Sequence, residues 1–330
     1  MNGHRGVGPR SRAWTYAQLL LGMVIFGSGT PVSKLVTAVF PPSLASGLRM
    51  VVGALILLPF LLRRREEIRQ LRWREWGYLG LIALVGMFGF SLFMLYGMKQ
   101  VSGVVGSVVM STTPAVTGIA AYLFLREHLG WRKLVGILLA VTGVLLVNTV
   151  GKPAEQAGTN LISGSLLVFG AVCGEAAYTL TGKVIMERVK PLLVAGLASA
   201  MAIPLFLAPA GYEALHFDFS KPNWQNWLAL FWWGAGTLAL GTVLWYRGVE
   251  QVPGTVAAGF MVVMPVSALV LSYLLLGEPF HWMHLAGFGL VFAGVMLIAW
   301  SHGCQAHQEK HENEAAPPAM HSGTHLHGSI

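Results

Sequence analysis

Charge is scarce in this chain: 11% of its 330 residues are Asp, Glu, Lys or Arg, against about 25% in an ordinary soluble domain. With 55% hydrophobic residues and a mean hydropathy of +0.62, there is too little polar side chain to wet the outside of a soluble fold. Cysteine is nearly absent as well. Cys173 lies inside an apolar run and Cys304 in the C-terminal tail, which excludes a disulfide framework and any CxxC metal or redox spacing. The chain lacks a GxxxxGK[ST] phosphate loop, an HExxH pair and a GxSxG elbow, and no connection is long enough to hold a nucleotide-binding domain. These absences exclude the commonest hydrolases and an ATP-driven pump, and they leave no enzyme, metal or cofactor expected.

What the chain has instead is long apolar runs. A membrane-spanning helix needs about 20 mostly apolar residues, and ten candidates are present: Tyr16–Ala38, Ser43–Leu62, Gly77–Met98, Val101–Leu125, Leu134–Val150, Leu161–Val184, Leu192–Gly211, Trp227–Val249, Val256–Leu276 and Met283–Trp300. The first run is too long for a signal-peptide core and has no small-residue cleavage site after it, so it is expected to be retained. The net charge of +8 does not point to nucleic acid, because the charges cluster in short connections, as membrane topology requires. Seventeen of the 22 Lys and Arg fall on one side if the N-terminus is inside, including Arg63, Arg64, Arg65, Arg69, Arg72 and Arg74; only Lys99, Lys152 and Lys221 fall outside. Both termini are therefore expected in the cytoplasm.

An ungapped shift of 151 residues lays Gln100–Thr149 over Gln251–Trp300, pairing Gly103 with Gly254, Pro114 with Pro265, Tyr122 with Tyr273, Glu127 with Glu278, Trp131 with Trp282 and Gly143 with Gly294. Apolar helices agree by chance at Leu and Val, but not at Pro, Glu, Trp, Tyr and Gly together. Five spans per half is an odd number, so the second half enters the membrane in the opposite sense. The expected fold is all-α and integral to the membrane, ten transmembrane helices in two inverted-topology five-helix repeats. An inverted repeat places a solute path at the interface of the halves and favours alternating access. The expected organisation is a cytoplasmic segment over 1–14, repeats over 15–150 and 151–301, and a disordered His-rich cytoplasmic tail over 302–330.

These features resemble the drug/metabolite transporter superfamily, and within it the EamA-type exporters. The likeness runs over Tyr16 to Trp300 and is carried by the Gly-Ser-x-x-Pro-Val-x-Lys stretch Gly27–Lys34, by Pro42 with Arg49, by Pro114 with Glu127 and Pro265 with Glu278, and by Trp245-Tyr246-Arg247 before Pro253. The resemblance implies export of a small metabolite or drug-like solute, usually in exchange for protons; the expected location is the cell (inner) membrane and the expected state a monomer or homodimer. Amino acids and related amphipathic compounds head the expected cargoes. Phosphorylated or nucleotide sugars are the second transporter reading, and a non-transporting scaffold or assembly factor is the alternative of another class.

Glu175, mid-span in the sixth run, is the leading candidate, because an ionisable group at that depth must face the bundle or a wet cavity. It can carry a coupling proton, bind a cationic amine, or serve helix packing in neutral form. Lys34 and Arg49 lie at one depth, roughly 9–11 Å below the outer boundary at about 1.5 Å per residue. They are placed to hold a substrate carboxylate, to pair with Glu175, or to bond exposed carbonyls near the end of the first span. Pro114 and Pro265 each remove a helical hydrogen bond, giving matched kinks that are either gating or static. Tyr178, one turn from Glu175, is the favoured cavity aromatic, with Trp245 and Tyr246 as further candidates. Trp232 and Trp233 are adjacent and cannot both face one cavity. Glu127 and Glu278 are expected to fix helix ends, and Arg247 to anchor the cytoplasmic side.

Overall fold

The computed structural model describes residues 9–125, 131–150, 161–252 and most of 256–297. Among the described residues the regular structure is all helical, without strands. The principal helices are α1 (Pro9–Thr37), α2 (Pro42–Arg63), α3 (Trp73–Met98), α4 (two segments, Gly103–Met110 and Thr113–Leu125), α5 (Trp131–Val150), α6 (Leu161–Ile185), α7 (Pro191–Leu215), α8 (Trp224–Val249), α9 (Val263–Leu276) and α10 (Trp282–Gly294), with one short helical turn at Arg65–Arg69 between α2 and α3. Seven of them, α1 to α4 and α6 to α8, contain stretches long and apolar enough to cross a membrane, and α5, α9 and α10 contain shorter apolar ones. Glu127 and the tail after residue 297 lie outside the described residues.

The outward-facing side chains are apolar: Leu274 is 73% exposed, Leu207 68% and Leu166 65%. Such a surface belongs in hydrocarbon, where helix association depends on close packing of small residues rather than on expulsion of water. The interior shows that packing, and it shows it twice. A shift of 149 residues carries Pro42, Leu44, Gly47 and Leu48 of α2 onto Pro191, Leu193, Gly196 and Leu197 of α7. Gly47 lies against Phe206 and Ala210, and Gly196 lies against Leu61, which the same shift relates to Ala210. Between α5 and α10, Gly143 abuts the Gly287 carbonyl while Gly294 abuts that of Gly136, and a shift of 151 exchanges the two contacts. Gln251 Oε1 accepts the Thr15 hydroxyl (2.9 Å), and Gln100 Oε1 accepts the Ser163 hydroxyl.

Two kinds of departure from the straight α-helix interrupt these elements. Both α3 and α8 contain a π-helical stretch at overlapping positions of the 151-residue shift, Ile82–Gly89 and Ala235–Leu240; such widened turns are rare and gather at functional sites. The other is the break in α4, where the chain turns at Ser111 and Thr112 before Thr113 restarts the helix. Pro114 has no N–H to donate to the Met110 carbonyl, and the Thr113 hydroxyl lies 2.8 Å from that oxygen in its place.

Candidate functional site

Arg49 sits near the middle of the bundle on α2, 8% exposed. Its Nε–H donates to the Trp233 carbonyl and Nη1 to Ser91 Oγ, both at 3.3 Å. The guanidinium carbon lies 4.2 Å from the centroid of the Trp233 ring and 5.8 Å from that of Phe90. A desolvated cation over an aromatic face gains about 2 kcal/mol. The widened turns stand beside these contacts: Ser91 follows the π stretch of α3, and Trp233 precedes that of α8, where its carbonyl also accepts the Thr237 hydroxyl (2.5 Å). Nε and Nη1 are engaged and aromatic rings flank the guanidinium, so its terminal edge is the part these contacts leave uncovered.

Glu175 reaches the same region from α6. Its Oε2 lies 2.9 Å from Thr113 Oγ1 on α4. Gly174 packs against the Val85 carbonyl and Phe90, the ring that also flanks Arg49. Arg49 and Glu175 attract one another across this space, yet among the described residues no direct ion pair joins them. Arg49 is buried and Glu175 half-buried, two groups of opposite sign near one another and apart. Tyr178 packs one turn along α6 against Gly86, where a side chain on the α3 residue would collide with the Tyr178 Cβ. Tyr246 on α8 is half-buried, with its hydroxyl 3.7 Å from Met186 Sδ, and Trp245 is half-buried beside it.

Lys34 is placed elsewhere. Its ammonium donates to the carbonyls of Met98 (2.7 Å) and Val101 (2.5 Å), at the corner between α3 and α4 rather than at the end of its own helix. Glu278 completes this corner, accepting the N–H groups of Gly103 (2.5 Å) and Val104 (2.9 Å) that open α4; these are the donors a helix start leaves without partners. Lys34 and Glu278 therefore brace one corner of the bundle, while Arg49 and Glu175 share its interior. The repeat draws the same line. The 149-residue shift matches Lys34 with Lys183, but Arg49 with Ala198 and Glu175 with Phe26. The residue types of the bracing pair recur in the other half of the sequence, whereas the two central charges occur once each. Of the adjacent tryptophans, Trp233 is buried and Trp232 is partly exposed with its Nε1–H donating to Ser28 Oγ (3.0 Å). Pro265 is half-buried near the start of α9.

Sequence reasoning did not single out Ser91, Phe90 or Thr113. Thr113 carried a usable signal: Met264 stands at its matched position while the proline after it is repeated.

Comparison with known proteins agrees with this architecture. The chain is 33% identical over 292 residues to the uncharacterized transporter YetK of Bacillus subtilis, covering 88% of each chain. It is 25% identical to a probable terminal-alkyne amino-acid exporter of Streptantibioticus cattleyicolor, covering 62% of this chain and 66% of that one. It is also 25% identical to an S-adenosylmethionine/S-adenosylhomocysteine transporter of Chlamydia muridarum, covering 85% and 90%. A solved crystal structure shares the fold with a TM-score of 0.58 at 18% identity, over 86% of this chain and 96% of that one. The model of the EamA-like transporter family matches residues 13–149 and again 162–300, so this multi-pass membrane protein, a transporter by kinship, belongs to the EamA-like transporter family.

Proposed function

We propose that the chain is a secondary active transporter of the cell (inner) membrane that exports small amino-acid-like solutes by alternating access, in exchange for protons. The observation that carries the reading is the separated pair of buried Arg49 and half-buried Glu175, at positions where the two halves differ. A zwitterion satisfies both charges at once, its carboxylate on the terminal edge of Arg49 and its ammonium on Glu175. A phosphorylated or nucleotide sugar satisfies Arg49 but brings negative charge toward Glu175. The cargoes in the names of two relatives, a terminal-alkyne amino acid and S-adenosylmethionine, both contain an α-amino carboxylate, which favours the same reading. Glu175 alternates between binding the ammonium and binding a proton, and so serves as the coupling group. A scaffold role leaves this central charge pair without a purpose. Cells carrying the protein are expected to survive toxic amino-acid analogues better than control cells, while sensitivity to dyes and to phosphonate antibiotics stays unchanged; equal survival on all analogues contradicts the proposal.

In this proposal the ten helices span as two inverted five-helix repeats over 15–150 and 151–301. The reciprocal contacts of α2 with α7 and of α5 with α10 support it. Reporter fusions at Ile330 are expected to read cytoplasmic and at Lys152 external; a cytoplasmic reading at Lys152 removes the inversion.

Pro114 and Pro265 shape the helices that open and close the path. Pro114→Ala and Pro265→Ala are each expected to slow transport by roughly 3- to 10-fold, about 1 kcal/mol in the barrier, with membrane protein levels maintained. Unchanged rates in both variants make the kinks static curvature.

A further inference from the structure

The Thr113 hydroxyl stands between two oxygens that cannot both receive its hydrogen. Its Oγ1 lies 2.8 Å from the Met110 carbonyl oxygen and 2.9 Å from Glu175 Oε2, and a hydroxyl carries a single hydrogen. When that hydrogen goes to Met110, the second contact is a hydrogen bond only if Glu175 holds a proton and donates it to Thr113. When Glu175 is ionised, the hydrogen turns to the carboxylate, and the Met110 carbonyl, already deprived of an N–H by Pro114, loses its substitute partner. Met110 and Thr113 are both 8% exposed, so water does not readily replace that bond. An unpaired buried carbonyl destabilises the arrangement that contains it. The other titratable or charged groups near the carboxyl are Arg49 from α2, which attracts it when ionised, and Tyr178 from α6 with Tyr246 of α8 beyond it.

We infer that Thr113 is a positioning residue that links the proton on Glu175 to the break in α4 at Pro114. Protonation completes the hydrogen bonds of the break, and deprotonation leaves one open and frees α4 to bend differently there. The repeat confines this device to one half. Pro265 matches Pro114, but Met264 replaces Thr113 and Phe26 replaces Glu175, so both ends of the link are missing from α9 and α1. The inference rests on the reading of Glu175 as the coupling carboxyl and gives that reading a mechanical output.

Infrared difference spectra of the purified full-length protein test it, taken between acid and alkaline pH, with the Glu175 carboxylic acid band assigned by its loss in Glu175→Gln. Thr113→Ser keeps the hydroxyl and is expected to keep the wild-type band. Thr113→Val removes the acceptor of the acid proton and is expected to shift the band. Pro114→Ala returns an N–H to Met110 and releases the Thr113 hydrogen to the carboxylate. It is expected to move the titration midpoint of the band toward acid by up to about one pH unit. Thr113→Ser and Pro114→Ala carry the test if Thr113→Val does not fold. A band unchanged in position and midpoint in Pro114→Ala overturns the link, as does a wild-type protein with no titrating band assignable to Glu175. Expected band shifts in a protein that shows no proton-driven transport leave the link standing and overturn the coupling role of Glu175 instead.

Discussion

Glu175→Gln is expected to abolish uphill, proton-driven transport while leaving the protein folded and inserted. Glutamine keeps the shape of the side chain and can still donate to Thr113 Oγ1, the hydroxyl 2.9 Å from Glu175 Oε2. What it cannot do is gain or lose a proton. A carboxylate at this depth without a partner costs several kcal/mol, so protonation, the attraction of Arg49 or a bound ammonium must balance its charge in each state of the cycle. Glutamine removes both the ionised form that binds an ammonium and the exchange with a proton. In vesicles with an acidic interior, where protons leaving drive the solute in, the accumulation ratio of the solute should fall to its equilibrium value. Intact uphill transport with an unaltered pH profile returns Glu175 to helix packing.

Arg49→Leu is expected to weaken solute binding by roughly 10- to 100-fold. A hydrogen bond to a charged group contributes about 1.5–3 kcal/mol, and each 1.4 kcal/mol is about tenfold in affinity. The loss comes through the carboxylate end of the cargo, so the amide of an effective amino acid should discriminate wild type from variant far less than the free acid does. Arg49→Lys is a sharper probe. Lysine keeps the charge but cannot lie flat over Trp233 while donating to the Trp233 carbonyl and Ser91, the contacts that fix the guanidinium. It should recover only part of the lost affinity, because planar two-point recognition of a carboxylate belongs to arginine. Lysine at full affinity makes Arg49 a source of charge alone. A variant that fails to accumulate in the membrane, even with Glu175→Gln added to remove the orphaned carboxylate, makes Arg49 a structural residue.

Much of this was legible in the residues. Apolar run lengths predicted the long helices, and the Pro, Glu, Trp and Gly matches at a 151-residue shift predicted a duplicated unit that the family model also finds, over 13–149 and 162–300. The first two helices of each half hid their kinship, because they match at 149 rather than 151 residues, and two residues of added length between α7 and α8 defeat an ungapped comparison. Glu175 and Arg49 stood out by charge against an apolar background. Lys34 stood out for the same reason, yet its partners are main-chain carbonyls at a corner 64 and 67 positions away, and backbone acceptors leave no trace in side-chain pattern. The π-helical turns of α3 and α8 were equally silent, since Ile82–Gly89 and Ala235–Leu240 read as ordinary apolar helix. Thr113 looked like one more small polar residue until the hydrogen missing at Pro114 was counted.

The central claim is that the Glu175 carboxyl exchanges a proton for the ammonium of a zwitterion whose carboxylate is held by Arg49. Purified protein in liposomes, given an inside-alkaline pH gradient, tests it through counter-transport of labelled alanine, threonine and phenylalanine beside their amides, their N-acetyl forms and glucose 6-phosphate. The account predicts that at least one free amino acid moves against its gradient as protons move the other way. It also predicts that the amide and N-acetyl form of that amino acid move poorly, and that a protonophore stops the movement. Transport of glucose 6-phosphate in preference to every amino acid, or of the amide and N-acetyl forms as readily as the free acid, contradicts it.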